Sequence, residues 1–172
     1  MYKEQRKGDE NLQNCNSNLI DERALALKPV FWGKNRSKII TTHGTYFSTL
    51  SPKDLLDKAC LNHLSTKKGR ISAATLLLSY TMKPPFIISP NEYGVFPTES
   101  SKKPECVWIF NHRFTVKEVT GGESLITFMN GVSIKVQVSK YTIIRQEQRL
   151  HTLLSIGQTL RREYISRTRE KN

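Results

Sequence analysis

Three basic residues surround one glycine in the stretch STKKGR, residues 65–70. Lys67, Lys68 and Arg70 have no acidic residue beside them in the sequence. A lysine binds a phosphate as a point charge, whereas an arginine presents a planar fork of N–H donors. Gly69 permits a tight turn that would bring the three charges together. The stretch therefore predicts either an anion-binding turn or a solvated loop.

Seven further basic residues lie at predicted element ends or on a predicted amphipathic helix: Lys83, Lys102, Lys103, Arg145, Arg149, Arg161 and Arg162. For any one of them alone, a solvated surface is the simpler interpretation. The chain as a whole, however, has a net charge of +12 and a pI near 9.8. A field of this sign attracts DNA, RNA or an anionic membrane surface.

Motifs for catalysis are missing from the sequence. It has no G-x-x-x-x-G-K-[ST] loop, no G-x-G-x-x-G and no G-x-S-x-G. No pair of carboxylates stands out among the 15 acidic residues, seven of which lie directly beside a basic one. We therefore predict that the protein is not an enzyme and needs no cofactor.

The three cysteines are too few and too scattered for a disulfide framework. Cys60 and His63 have the spacing of two zinc ligands, but a second close pair is missing, because Cys106 and His112 lie six residues apart on a predicted strand. We predict no metal site, with Cys60 and Cys106 as small core residues. Reduced thiols are typical of a cytosolic protein.

The length of 172 residues suits one domain with a real core. Residues 1–18 are polar and predict a disordered arm, which leaves residues 19–172 as a single DNA-binding domain. No apolar run is long enough for a signal peptide or a membrane span. We therefore expect a cytoplasmic protein.

The helices predicted from the sequence are three. Ser51, Pro52 and Asp54 form a start signal for a helix from Pro52 to Leu64. Residues 71–81 are ambiguous between helix and buried strand, and a short helix is favoured because Pro84 and Pro85 follow. From residue 141 onward an apolar stripe recurs at helical spacing: Leu150, Leu153, Leu154, Leu160 and Tyr164.

Alternating apolar residues predict the strands. They are a strand at 24–32 closed at Pro29, a strand pair at 38–50, two strands at 85–97 across a turn at Pro90 and Asn91, one strand at 106–119, and a hairpin with a type I′ turn at Asn130 and Gly131. The predicted fold class is α+β: a small antiparallel β-rich core, a mid-chain helix and a C-terminal amphipathic helix.

Several of these segments together resemble the competence transcription factor (ComK) family of Gram-positive bacteria. They are LLDKAC, the pair Gly69-Arg70, KPPFIISP, FPTESSKKPECVWI and the Asn130-Gly131 hairpin. The likeness runs from about Ser37 to Trp108 and resumes through Ser139 to Arg149, about two-thirds of the chain. The string KPP…P…FPT.SS..P.C.W is its most specific part.

The resemblance implies a sequence-selective, DNA-binding transcriptional activator of competence (DNA-uptake) genes. It implies reading of A/T-rich boxes, mainly through the minor groove, by an oligomer in the nucleoid. Other implied partners are RNA polymerase and a proteolytic adaptor. The chain ends soon after its last helix, so we expect the tail that engages the adaptor to be absent.

A limited set of family residues can be matched: Gly69, Arg70, Lys83, Pro84, Pro85, Cys106, Trp108 and Arg149. We expect Arg70 and Arg149 to contact DNA, Lys67 and Lys68 to contact its backbone, and Cys106 and Trp108 to be core. The sequence departs from the family pattern in its cationic run at 64–68, and in Arg113, which stands where a histidine is expected.

Two alternatives stay open. An RNA-binding or general nucleic-acid-binding module would place exposed aromatics on a sheet, and Tyr46, Phe47 and Phe128 could serve. A peripheral membrane protein would use the last helix, which has leucine and arginine faces but no Trp or Phe.

Overall fold

The computed structural model describes residues 20–90 and 93–170. Its elements, in chain order, are β1 (Ala24–Trp32), β2 (Asn35–Thr41), β3 (Gly44–Ser48), α1 (Pro52–Leu61), α2 (Lys67–Leu78), β4 (Phe86–Ser89), β5 (Tyr93–Pro97), β6 (Trp108–Phe110), β7 (Phe114–Val119), β8 (Glu123–Phe128), β9 (Ser133–Val136) and α3 (Lys140–Arg169). The predicted α+β class is confirmed. The predicted arm at 1–18 lies outside the described residues.

A six-stranded antiparallel sheet forms the centre, with the strand order β3-β2-β1-β6-β5-β4. On one face α1 contributes Leu55, Leu56 and Cys60 to a core that includes Phe86 and Trp108. On the other face a second antiparallel sheet, β7-β8-β9, and α3 build a separate core. The inner strands of the central sheet are therefore buried on both faces, and Cys106 and Trp108 are core residues as predicted.

Close backbone approach sets the position of α3. A Cβ at Gly94 in β5 would lie 2.8 Å from Leu150 of α3, and one at Gly157 would lie 3.0 Å from Ile87 of β4. Two glycines thus allow the helix to lie against the sheet edge.

The helix boundaries around residues 62–70 differ from the prediction. α1 ends at Leu61, and Leu64 then takes a left-handed φ of 56°. Thr66 caps α2, because its side chain accepts a hydrogen bond from the Gly69 N–H at 3.0 Å. Lys67 to Arg70 are therefore the first helical turn of α2, and the predicted tight turn at Gly69 is wrong.

Two strand predictions are also wrong. The strand predicted at 106–119 is two strands in different sheets, β6 and β7, separated by residues 111–113. The β8–β9 turn is not type I′, since Asn130 is not among the described non-glycine residues with positive φ. Instead the Gly131 N–H donates to the Phe128 carbonyl and Gly131 has a φ of 86°, the pattern of a type I turn followed by a glycine bulge.

The predicted closure of the first strand at Pro29 is wrong as well. β1 continues through Pro29, which pairs with Ser37 of β2, and reaches Trp32. This extra length forms the first part of the candidate site.

Candidate nucleic-acid interface

The outer half of β1 and the start of β2 form a ribbon, residues 28–38, which we call the β-arm. β3 pairs with β2 only as far as Ser37 and Lys38, so the ribbon is two-stranded from residue 30 to residue 36. β1 pairs with β6 through Ala26 and Leu27, whereas from residue 28 onward its described pairing is with β2. Burial falls along β1 from a fully buried start to an exposed end. The β-arm therefore extends the central sheet beyond its core.

Four basic residues lie on the β-arm: Lys28, Lys34, Arg36 and Lys38. Lys28 and Lys38 are directly opposite each other in the ladder. Burial and, secondarily, the Lys38 charge lower the pKa of Lys28. Like charges at opposed positions are unfavourable in a sheet, so the β-arm carries a positive potential that the local fold does not neutralise.

A cleft of about 610 Å³ opens beside the β-arm, and we call it the basic cleft. Its walls are the β-arm, the first turn of α1 and the loop 101–104, and Cys106 and Trp108 also line it. Its charged lining residues are Arg36, Lys53, Lys102 and Lys103.

No acidic side chain is among the described residues that line the basic cleft. Lys103 has an ion pair with Glu99 at 2.8 Å, and 61% of its side chain is exposed. The three ion pairs found among residues 20–90 and 93–170 leave Arg36, Lys53 and Lys102 without one. These three charges can therefore meet an anion without first breaking an ion pair.

The Lys67–Lys68 pair lies on the other side of Lys53, in a shallower groove that Asp54 and Asp57 also line. Lys67 Nζ is 5.2 Å from the centroid of the Trp108 ring. Burial, and then the charge of Lys53, lower the pKa of Lys67. The predicted pair thus adjoins the basic cleft: Lys68 is exposed and Lys67 is half-buried.

Arg70 points into the protein. Its Nη2 donates to the His63 carbonyl at 3.4 Å, and its Nε is buried with no hydrogen-bond partner among the described residues. The His63 carbonyl follows the C-terminus of α1, where a cation is favoured by the helix dipole. The geometry accounts for Arg70 as a link between α1 and α2.

The predicted residues Lys83, Arg145 and Arg149 come together at a second cleft of about 640 Å³, between α3 and the segment 79–83. We call it the arginine joint. Lys83 has a left-handed φ of 50°, and its carbonyl accepts from the Gln146 Nε2 at 2.9 Å. Gln146 Nε2 also donates to the Pro97 carbonyl at 2.9 Å, and only 3% of Gln146 is exposed.

Arg149 completes the arginine joint. Its Nη1 donates to the Met82 carbonyl at 2.9 Å, and its guanidinium carbon is 4.1 Å from the centroid of the Tyr80 ring. Burial lowers the pKa of Arg149 from its usual value. This arginine therefore bonds the backbone of the α2–β4 loop, while Arg145 beside it stays exposed.

Arg161 and Arg162 lie apart from both clefts, on the last turns of α3. The predicted apolar stripe of this helix divides: Leu150 and Leu153 are buried, but Leu160 is 46% and Tyr164 is 70% exposed. The first half of α3 is thus part of the core, and its second half projects from it.

Two residues of the basic cleft, Arg36 and Lys53, have no signal in the sequence that marks them as site residues. Arg36 precedes Ser37 and Lys38 in a strand predicted to begin only at Lys38. Lys53 follows the helix-start proline, where a basic residue has no special meaning. Only their spatial convergence gives them a role.

The described residues give no support to two other kinds of site, a metal centre and a membrane-spanning helix. Within residues 20–90 and 93–170, no three His, Cys, Asp or Glu side chains form a group that could hold a metal ion. Burial raises the pKa of the Cys60 thiol to about 11. The helices in this part of the chain include none with the length and apolar character needed to cross a bilayer.

Comparison with known proteins gives two matches. The model of the family described as ComK protein matches residues 16–160. The competence transcription factor of Bacillus subtilis (strain 168) is 30% identical over 109 residues, which are 62% of this chain and 57% of that relative. The matched region is thus little more than half of the relative's length. No solved structure matches significantly.

Proposed function

The chain belongs to the ComK protein family, and from this premise we propose that it is a transcription factor that binds double-stranded DNA at the basic cleft. The observation that supports the proposal best is the convergence of Arg36, Lys53, Lys102 and Lys103 on one cleft without an acidic lining residue. The relative's description as a competence transcription factor supports genes of DNA uptake as the target.

The shape of this region fits a duplex. Strands of DNA-binding proteins contact the major or the minor groove, and the two-stranded end of the β-arm can approach a groove in this way. Lysines beside it suit the phosphates at the groove walls, and an arginine such as Arg36 suits a narrow A/T-rich minor groove with its enhanced negative potential. We therefore assign Lys53, Lys102, Lys103 and the exposed Lys68 to phosphates, and Arg36 to the groove.

The other predicted contacts take different roles in this proposal. Arg70 and Arg149 stabilise the fold, because both bond backbone carbonyls inside the protein. The exposed second half of α3, with Leu160, Tyr164 and the arginines Arg161 and Arg162, is the surface that we assign to oligomer formation and to secondary DNA contact.

We further propose that the protein acts in the cytoplasm, at the nucleoid, without a catalytic step or a cofactor. Because a transcriptional activator acts on RNA polymerase, we propose the polymerase as a further partner. We also propose a proteolytic adaptor as a partner, on the basis of the family likeness.

Binding of the purified full chain to three labelled probes tests this function. The probes are an A/T-rich duplex, a G/C-rich duplex of equal length, and single-stranded RNA of the A/T-rich sequence with uracil for thymine. We expect the order A/T-rich duplex, G/C-rich duplex, RNA, with a steep salt dependence throughout.

Footprinting of the purified protein on a random-sequence duplex library, followed by sequencing of the bound pool, then gives the preferred boxes. Preference for RNA would instead support the nucleic-acid-binding alternative, although Phe128, one of its expected stacking residues, is only 2% exposed. Co-sedimentation with anionic vesicles at physiological salt, without duplex binding, would support the membrane alternative.

A further inference from the structure

Two large aromatic side chains are exposed at the tip of the β-arm. Phe31 is 79% and Trp32 is 59% exposed. They stand just before the turn residue Gly33, which has a φ of 57°, and the ladder shifts register between Pro29 and Trp32. The bulge and the turn thus carry the aromatic pair at the outermost point of the ribbon.

The two rings face different surroundings. Trp32 packs edge-on against Phe47, with ring centroids 6.2 Å apart, and Lys38 Nζ lies over the Phe47 ring at 5.9 Å. Phe31 lines the basic cleft and also a smaller cleft of about 250 Å³, which Lys28, Glu99 and Glu105 line as well. Trp32 is therefore packed on β3, while Phe31 lies at the rim between the two clefts.

We propose that Phe31 is a wedge that stacks against a base step of the bound duplex, and that Trp32, packed on Phe47, holds the tip of the β-arm in place. This inference rests on the proposed function. Exposed apolar surface costs free energy in water and marks a contact site when it is concentrated. The surrounding charge selects the occupant, since Arg36, Lys34 and Lys53 would oppose the approach of a second copy of this basic chain.

A base step fits both properties of the tip. DNA-binding proteins insert apolar side chains between base pairs and contact the flanking phosphates with cations. The tip is only two strands wide, because β6 pairs with β1 at Ala26 and Leu27, and β3 pairs with β2 no further out than Ser37. The tip can therefore reach bases while the basic cleft contacts the backbone.

Tryptophan fluorescence tests whether the tip of the β-arm becomes buried on DNA, and 2-aminopurine fluorescence tests stacking by the wedge itself. The chain has two tryptophans; Trp108 is 2% exposed and Trp32 is 59% exposed, so acrylamide quenching reports almost entirely on Trp32. We expect a saturating A/T-rich duplex to abolish most of this quenching. A 2-aminopurine base placed within the bound site should brighten with the parent protein, because its stacking partner is displaced.

Variants separate stacking from charge. Phe31→Ala should weaken duplex binding about 5- to 150-fold, the range for one stacked base, without changing the slope of log K against log salt, because every phosphate keeps its cation. It should also remove the 2-aminopurine signal. Met129→Ala, at a position that is 75% exposed on the β8–β9 turn, is the matched control and should bind as the parent does.

Each other outcome is decisive. If the duplex binds but the 2-aminopurine signal does not rise, or Phe31→Ala binds as tightly as the parent, the wedge is wrong and the proposed function stands, whatever the quenching of Trp32. If no duplex binds, both fail. Protection of Trp32 that depends on protein concentration alone would mean self-association at the tip and would overturn the wedge. Protection by single-stranded RNA and not by duplex would overturn it in favour of a single-strand stacking platform.

Discussion

The basic cleft and the arginine joint are concave regions of similar size, about 610 and 640 Å³, and both are lined by basic residues. Their charges have different partners. In the arginine joint, Arg149 bonds the Met82 carbonyl and lies on the Tyr80 ring. In the basic cleft, Lys53 and Lys102 have no ion pair among the described residues.

The two clefts thus differ in whether their positive charges are bonded within the fold. A guanidinium with several N–H donors can form hydrogen bonds to loop carbonyls that have no partner within the sheet or the helices. A lysine at the surface does little for the fold, since surface charges contribute less than about 1 kcal/mol. Variants in the two clefts should therefore separate stability from DNA affinity.

The largest effect on stability is expected at the arginine joint for Gln146→Ala. The substitution leaves the buried Pro97 carbonyl without its amide donor and removes one of the two donors of the Lys83 carbonyl. It also removes the Gln146 oxygen that accepts from Arg149. An unsatisfied buried group costs about 1 to 3 kcal/mol, and a hydrogen bond to a charged group contributes about 1.5 to 3 kcal/mol. We expect urea unfolding to show a loss of about 2 to 5 kcal/mol. Gln148→Ala, at an exposed position on the same helix, should change stability by less than about 0.5 kcal/mol. Equal losses in both would mean that the arginine joint is not structural.

Arg149→Ala should come next, with a loss of about 1.5 to 3 kcal/mol, the range for hydrogen bonds to a charged group. DNA binding by the folded fraction should keep the parent's salt dependence. Arg145→Ala removes the same charge from the exposed neighbour and should leave unfolding unchanged. Parent stability combined with a shallower salt slope for Arg149→Ala would place DNA at the arginine joint instead.

The pH dependence of stability offers a smaller test at Lys67. Burial lowers the pKa of Lys67 in the folded protein, whereas the unfolded chain has the ordinary lysine value of about 10.4. Between the two values the unfolded state binds more protons, so this group makes stability rise with pH. Lys67→Met should flatten that rise by less than about 1 kcal/mol in total, measured by urea unfolding between neutral and alkaline pH. A steeper rise in the variant would contradict the burial of the ammonium group.

Much of the fold could be predicted from local signals. The Ser51 cap, whose Oγ accepts from the Asp54 N–H, and the alternation in β8 and β9 can be recognised from residues that are neighbours in the sequence. The break between β6 and β7 cannot be recognised in this way. It depends on Asn111, which accepts from the Gly94 N–H, and on His112, which bonds the Glu22 carbonyl 90 residues away in sequence.

The candidate site was predictable only in part, because it too is assembled from residues that are distant in the sequence. Lys102 and Lys103 stand out in the sequence as a charge pair, but their neighbours Arg36 and Lys53 come from the start of β2 and the start of α1. STKKGR resembles a turn because lysines and a glycine follow the Thr66 cap, where a helix start usually has acidic or strongly helix-forming residues. In addition, no sequence signal marks the left-handed φ of Leu64, which separates α2 from α1.

The salt dependence of duplex affinity tests the central assignment of the basic cleft most directly. It compares the parent with Lys53→Gln/Lys102→Gln and with Arg113→Gln/Lys117→Gln, a control that removes the same charge from exposed positions at and just before β7. We expect the slope of log K against log salt to fall by about 0.9 for each phosphate that the cleft pair no longer neutralises, with parent-like stability, and to stay unchanged in the control. An unchanged slope for the cleft pair, or equal changes in both pairs, would contradict DNA binding at the basic cleft.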